Sequence, residues 1–463
     1  MGRRRWGALA LVTAVIGLGA ACAPLPTPND ALVVTTTADT FDGVCDAECS
    51  LRDAVAAANE LEQVGELPNP ITLPADTVVV SGTEPIVITR SVEISGVGSG
   101  LSVLDITDAQ IAGGAGVFDV RAFTSLSSVD VVSSDPSTTD VLASCTAAGP
   151  QVFNLFSANT DGLAATSSGC DATIISSVVT GPATVIAPNR VAATSSTLPF
   201  ADTTLTPLAF VAIGSILTGP TTSGGATAPA TLDLQAPSGV DVIDVNLTAS
   251  RLVGLDLRLG GDGPGSVNAA ALSSSFALNG TGGPTTITVG AGSTATLINS
   301  SVHGGGPAGA LAVEGTLNLE SATVTTGGPA IVPGTSGVVN VRRSILGASA
   351  GATCTAAVTS QGFNVVVGSS CGTPAGTDVV VADEAALQLG AVESLGGLAS
   401  QHRVPGATSP AVDLIPPGPG DSADCPTEFG QGRSIDALGT LRPIGSGCDA
   451  GAIEFVPAPP PAA

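Results

Sequence analysis

At 463 residues the chain exceeds what one compact core usually serves, so it must divide into domains or grow by repetition. Aromatic residues make up 3% with no Tyr, which excludes a thick core built on rings and favours a thin one of Val, Ile, Leu and Ala. Fourteen basic residues, all Arg, against 39 acidic ones give a formal charge of −25, which excludes a nucleic-acid footprint and charge-driven docking on anionic membranes. A hydrophobic content of 43% excludes wholesale disorder.

The first residues read as an export signal (residues 1–22). Arg3, Arg4 and Arg5 form a positive n-region and Ala8 to Leu18 an apolar h-region. Gly19-Ala20-Ala21-Cys22 is similar to a bacterial lipobox, in which Cys22 takes the lipid, although Leu is commoner where Gly19 stands. The plainer account is a signal peptide cleaved near Ala23. No later run approaches the ~20 apolar residues of a membrane span. The mature protein is therefore expected outside the cytoplasm, in the extracellular space or cell envelope, touching a membrane only through an N-terminal lipid.

Residues 23–33 form a Pro-rich spacer, and a cap follows over 34–70. Leu32 to Thr37 reads as a strand. An acidic loop comes next, with Asp39, Asp42, Asp46 and Glu48 around Cys45 and Cys49. Residues 51–60 are predicted as a helix with Ser50 as N-cap and Asp53 closing a capping box. Leu51, Val55 and Ala58 share one face, suited to covering the end of a stack of strands.

After Pro70 short β-branched runs alternate with Gly, Pro, Ser and Asn turns: Thr77–Val80, Ile86–Ile88, Val92–Ile94, Val103–Ile106 and Val117–Val120. A repeat selects a solenoid over a sandwich or barrel. Leu247, Leu272, Leu297, Leu319 and Val341 open successive units at steps of 25, 25, 22 and 22 residues, with a small residue three positions on and Gly-rich turns after it. This is the period of one coil of a β-solenoid, whose coils bury their apolar faces by stacking. The expected fold is all-β: a right-handed parallel β-helix over 71–346 with a short N-terminal capping helix. Residues 121–235 fit the period poorly and are either divergent coils or an insertion carrying a Cys145–Cys170 loop.

Setting Cys22 aside, eight Cys fall as sequence-local pairs: Cys45 with Cys49, Cys145 with Cys170, Cys354 with Cys371, and Cys425 with Cys448. Connectivity is not fixed by sequence, but disulfides between these neighbours are the economical reading for an exported chain.

Two segments carry family resemblances. Val44 to Asn59, with Cys49-Ser50-Leu51-Arg52-Asp53-Ala54 at its centre, closely resembles the N-terminal domain named for its Cys-Ser-Leu-Arg-Glu-Ala motif, Asp53 replacing Glu. The region 347–456 resembles the bacterial choice-of-anchor Q domain. The matching residues are Ser344-Ile345-Leu346, Gln361 to Val365, Cys371, Ser409 to Asp413, Leu441-Arg442-Pro443 and Gly447 to Glu454. It departs from that pattern at Ile453, where Tyr is usual, and at Asp436-Ala437-Leu438-Gly439, where Asp-Gln-Arg-Gly is usual. Together the resemblances imply a pectate-lyase-type β-helix on a bacterial surface and imply no activity. The Pro-rich tail 457–463 carries no sorting segment, which favours the Cys22 lipid as tether.

Candidate chemistry is sparse. Polysaccharide lyases of this fold use a Lys or Arg base beside acidic calcium ligands, and glycoside hydrolases use clustered carboxylates. Arg251, Asp256 and Arg258, with Asp241, Asp244 and Asp262, form the one catalytic cluster to consider, and a solvated charged face is the plainer account. Asp39, Asp42, Asp46 and Glu48 are candidate ligands for Ca2+, the single cofactor to consider, with a disulfide-closed polar loop as the plainer account. The Gly260–Gly265 run matches a calcium-binding nonapeptide only in part. Two Gly-x-Ser-x-Gly matches, Gly347–Gly351 and Gly368–Gly372, are expected by chance in so Gly-rich a chain. His303 and His402 sit in Gly- or Pro-rich stretches and are expected as surface turn residues.

The leading expectation is a non-enzymatic surface protein that binds extracellular polysaccharide or another surface protein. The alternatives are a polysaccharide lyase or glycoside hydrolase working in the β-helix groove, and a structural spacer. An enzyme needs convergent carboxylates and Arg on one sheet, whereas a binding protein needs an exposed strip of Ser, Thr and Asn.

Overall fold

A computed structural model describes residues 31–61, 67–106, 109, 116–133, 141–145, 151–161, 165–168, 170–179, 184–185, 190–200, 203–205, 207, 209–219, 230–236, 240–260, 265–280, 283–284, 286–395, 400–418, 425 and 435–457. Its short β-branched segments wind into a right-handed parallel β-helix. Right-handedness is the general rule for parallel crossovers, because a right-twisted strand packs its connection back on the sheet only that way. The first wall is a fourteen-stranded sheet running from Leu32–Val33 to Thr359–Ser360, and the second, also of fourteen strands, runs from Thr77–Val79 to Val379–Val381. The third wall is a five-stranded sheet from Ile86–Ile88 to Thr184–Val185, then a six-stranded one from Thr203–Leu205 to Ile331–Pro333.

Alternation along each strand puts the core inside. In Val242–Thr248, for example, Ile243, Val245 and Leu247 are buried while Val242 and Asp244 face out. Parallel pairing then stacks like on like, as in the inward column Leu247, Ala271, Leu297, Leu319, Val341. This column corrects the predicted repeat by one residue. Ala271, not Leu272, aligns with Leu247, so Leu272 faces outward and Phe276 is buried. A slip of one exchanges the two faces of a strand. The run Ala269-Ala270-Ala271-Leu272 leaves composition indifferent between the two registers, and the bulk of Phe276 decides for the second.

The described part of 121–235 is coil rather than insertion. Phe153, Ala172, Val191 and Phe210 stack in register on successive coils of only 19 residues. A search at 22 to 25 residues passes over so short a period. The Cys145–Cys170 disulfide ties adjacent coils there, one of four disulfides that join the Cys pairs read from the sequence.

The corner from first to second sheet is built the same way in coil after coil. One residue takes left-handed backbone angles: Ser157, Ser176, Ser195, Gly214, Ala249, Ser273, Asn299, Ser321, Arg343 and Phe363, with φ between 46° and 58°. The next residue is small and buried, usually Ser. Its N–H donates to the hydroxyl of the Ser one coil on: Ser177 to Ser196 (3.3 Å), Ser215 to Ser250 (3.4 Å), Ser250 to Ser274 and Ser274 to Ser300 (both 3.2 Å). The hydroxyl in turn donates to a carbonyl of the preceding coil, as Ser250 Oγ does to Ala212. Asn364 takes over at the end of the ladder, accepting from Ser344 N and donating to Val341 O.

At the N-terminal end the helix Leu51–Glu60 turns Leu51, Ala54, Val55 and Ala58 onto the stack. Asn69 Nδ2 donates to Ala58 O and so ties the last turn to the first sheet. Beyond the last coil the chain folds back, as an antiparallel hairpin of Leu389–Leu395 with Ser400–Pro405, across the outer side of the second sheet.

Ser250→Ala leaves the buried Ser215 N–H without its acceptor. It is expected to destabilise the protein by about 1–3 kcal/mol in denaturant unfolding.

Candidate functional site

The charged residues proposed for catalysis do not all share a face, although Asp256 and Arg258 do. Arg251 lies on the second sheet, Asp256 and Arg258 on the third wall, and Asp244 on the first. Asp256 Oδ1 is engaged by Thr286 N at 2.6 Å, and Asp244 by Asn268 Nδ2 at 3.1 Å. Alternation along successive strands sends these side chains out on three separate walls, so no carboxylate pair with an adjacent Arg is assembled from them. Asp262 and Cys22 lie outside the described residues.

The acidic loop is organised around Asp53, beyond its place in the capping box. Asp53 accepts backbone N–H groups from Asp42 (3.0 Å), Gly43 (2.9 Å) and Ser50 (3.3 Å), and the Ser50 hydroxyl at 2.7 Å. Burial raises the Asp53 carboxyl, but the bonds from Ser50, Gly43 and Asp42 outweigh it and hold the carboxyl below its ordinary value. Asp39 is nearly buried and joins Arg52 Nε at 2.7 Å and Ser81 N at 2.7 Å. Asp42 and Asp46 each accept the N–H two residues on, from Val44 and Glu48, in local turns. These carboxylates are committed to the chain itself. Among the described residues no group of three or more His, Cys, Asp or Glu is arranged to hold a metal.

The two histidines correct the expectation of surface turns, since both are buried. His402 sits on the fold-back hairpin and shares a 2.8 Å hydrogen bond with Ser301 through Nδ1, while its Nε2 has no hydrogen-bond partner among the described residues. His303 shares one of 2.9 Å with Thr325. Burial, then the neighbouring His402 and Arg403, push His303 down to about 3; burial pushes His402 down to about 4 against the pull of Asp436. A Ser–His–Asp set is thus brought together, but Ser301, His402 and Asp436 are each fully buried, and all three accepting bonds of the Asp436 carboxylate come from backbone N–H groups. With the hairpin in place the set is closed off from solvent. Of the two Gly-x-Ser-x-Gly serines, Ser349 bonds the carbonyls of Thr326 and Gly327, and Ser370 accepts from Cys354 N.

Arg442, Asp449 and Glu454 form a buried charged knot that pins the fold-back segment. Arg442 donates to the carbonyls of Asp449 and Gly451, both at 2.8 Å, and its Nε stands 3.7 Å from Glu454 Oε2. Glu454 accepts from Ile444 N and Asp449 N, and Asp449 from Asp413 N and Phe455 N. Burial pulls the Arg442 guanidinium down and holds Asp449 and Glu454 up. The knot meets the solenoid where Gly451 N donates to Arg343 O and Ala452 N to Thr323 Oγ1. Strands of the second sheet beneath this cover are buried on both sides at Ser275–Ala277, Ser301–His303, Thr323–Thr326 and Ile345–Ala348. Earlier ones, such as Ile216–Thr218 and Arg251–Val253, bury only the middle residue.

What remains open is the outer side of the first sheet. In-register pairing makes three outward columns there: Asp244, Asn268, Thr294, Thr316, Val338; then Asn246, Ala270, Thr296, Asn318, Asn340; then Thr248, Leu272, Ile298, Glu320, Arg342. In the middle column Asn340 Nδ2 donates to Asn318 Oδ1 at 2.9 Å, and Asn318 Nδ2 to Thr296 Oγ1 at 3.3 Å. The result is a row of uncharged donors and acceptors spaced by the ~4.8 Å strand separation, flanked by the apolar Leu272 and Ile298 and then by Glu320 and Arg342. Its signal in the sequence is Asn or Thr, in four units of five, one residue before the inward residue that opens each unit, visible only once the register is right. Comparison of the chain with protein-family models, curated proteins and solved structures returns no match.

Two substitutions test these assignments. Asp53→Ala strands several backbone donors and is expected to cost about 2–4 kcal/mol at neutral pH. Because the native carboxyl lies below its ordinary value of 3.8, that contribution is full above 3.8 and is lost as pH falls through the native value, a trend thermal melts from pH 7 downward would follow. Arg442→Met leaves Glu454 buried without its cation and is expected to destabilise the fold-back segment by about 3–5 kcal/mol, read as lost amide-exchange protection over residues 435–455.

Proposed function

We propose that this protein is an exported surface protein, tethered through a lipid on Cys22, that holds an extended neutral glycan along the outer face of the first sheet. The observation that carries the reading is the Thr296–Asn318–Asn340 ladder, a regular half-buried row of amides and a hydroxyl with Leu272 and Ile298 beside its first part and Glu320 and Arg342 beside its second. Amides and hydroxyls match sugar hydroxyls, and the apolar pair Leu272 and Ile298 matches the C–H face of a ring. A net charge of −25 disfavours an acidic polymer. Four disulfides support an oxidising compartment, and the resemblances to the Cys-Ser-Leu-Arg-Glu-Ala and choice-of-anchor domains support display on a bacterial surface. The separation of Arg251, on the second sheet, from Asp256 and Arg258, on the third wall, favours binding over turnover.

The test is a binding screen of the mature protein against neutral and acidic polysaccharides, with and without calcium, following both retention and release of unsaturated or reducing ends. Binding of a neutral polymer that Asn318→Ala with Asn340→Ala weakens about tenfold or more, at unchanged melting temperature, supports the reading. Turnover abolished by substituting Arg251, Asp256 or Arg258 replaces it with the lyase or hydrolase alternative.

A further inference from the structure

The interface between the fold-back hairpin and the second sheet is polar, which is unusual for a permanent cover. Gln401 N donates to Ser275 Oγ at 3.1 Å and His402 meets Ser301 Oγ, so successive rungs of one column are each bonded to the hairpin. His303, on the same strand as Ser301, lies under Gln401, His402 and Arg403. Permanent covers are usually apolar, because apolar area holds them down whatever the pH. Here two buried imidazoles and a set of hydroxyls fill the same place.

We propose that the hairpin formed by Leu389–Leu395 and Ser400–Pro405 is an acid-released strap, which below about pH 6 lifts from the second sheet and uncovers Ser275, Ser301 and His303 as a further hydrogen-bonding face. Both imidazoles are neutral when docked and take up protons near 6.5 once released. Release therefore binds up to two protons that the docked form refuses, and falling pH drives it. The charged groups around the pair do not reverse this. Arg403 adds positive charge beside His303 and is itself paired with Glu384. Glu393 stands across the hairpin from His402 but points to solvent, and Asp436 pulls the His402 value up only part of the way. The Arg442 knot responds in the opposite sense. Burial holds Asp449 and Glu454 above their ordinary values, so acid relieves the cost of keeping them charged. The hairpin loosens while the knot holds, which makes the knot the tether of the strap.

The experiment places a thiol under the strap. Ser275→Cys is labelled with a pyridyl disulfide from pH 7.5 to 4.5, its rate taken relative to the exposed Asn268→Cys, and amide exchange is followed at 450–453 and 316–320. The expected result is a relative labelling rate that rises by up to about a hundredfold per pH unit between pH about 6 and 4.5, with both exchange segments still protected. Adding His303→Asn with His402→Asn, which keeps a group able to donate or accept near the Nδ1 positions, is expected to flatten that rise. A relative rate constant with pH, a rise that survives the double Asn substitution, or simultaneous opening of 450–453 and 316–320 overturns the proposal. Should Ser275→Cys not fold, Ala277→Cys reports the same strand. Should the double Asn variant not fold, His402→Asn alone is expected to cut the rise to about tenfold per unit, and an unchanged rise overturns the proposal.

Discussion

A parallel stack exists only if every coil turns the same corner at the same height, and in this chain that constraint is met at the left-handed residue between the first and second sheets. Left-handed angles cost an ordinary L-residue roughly 1–2 kcal/mol. The chain accepts that cost at Ser195, Ala249, Arg343 and others rather than placing Gly there. What offsets it is the buried Ser that follows. Its hydroxyl accepts an N–H and donates to a carbonyl of the preceding coil, as Ser250 Oγ does with Ser215 N and Ala212 O, so each corner satisfies groups its neighbour leaves open. The ladder carries on from coils of 19 residues into longer ones, is interrupted at Ala322 and resumes at Ser344, because it fixes the corner and leaves the turn lengths elsewhere free.

The composition follows from that geometry. A coil three short strands wide encloses a core only a few side chains thick, so Val, Ile, Leu and Ala suffice, and the few buried Phe fill single places such as 153, 210 and 276. Each wall shows only alternate residues to the outside, so chemistry that must converge cannot be assembled from neighbours in sequence. Arg251 and Asp256 are five residues apart and on different walls. Residues that do converge, such as Thr296, Asn318 and Asn340, are a full coil apart.

What could be read from the sequence was what depends on neighbours along the chain. The helix at 51–60 was legible because its cap, capping box and apolar face all lie within ten residues. The strand runs from Thr77 to Val120 and the general solenoid period were legible for the same reason. Register was not, because Ala271 and Leu272 are both apolar and only the packing of Phe276 separates them. The 19-residue coils escaped because their period differs from that of the clearer repeats. His303 and His402 were misplaced for a deeper reason. Their burial depends on the chain returning over itself a hundred residues later, and nothing near either residue announces it. The same return hides the purpose of the Arg442–Glu454 motif, which reads as a family signature and folds as the fastening of the strap.

The two long sheets thus put similar outward residues to different uses. On the first, half-buried Asn and Thr bond each other along the axis, with Glu320 and Arg342 beside them on the same open face. On the second, Ser and Thr at matching heights are dried by the chain's own C-terminal segment. An uncharged hydroxyl costs little to expose and little to cover, provided each state gives it a partner. A parallel β-helix that presents such groups can keep one face open and another closed without rebuilding its core. The hydroxyls leave both faces available, and the imidazoles of His303 and His402, whose charge changes with pH, are what tie the second to conditions outside.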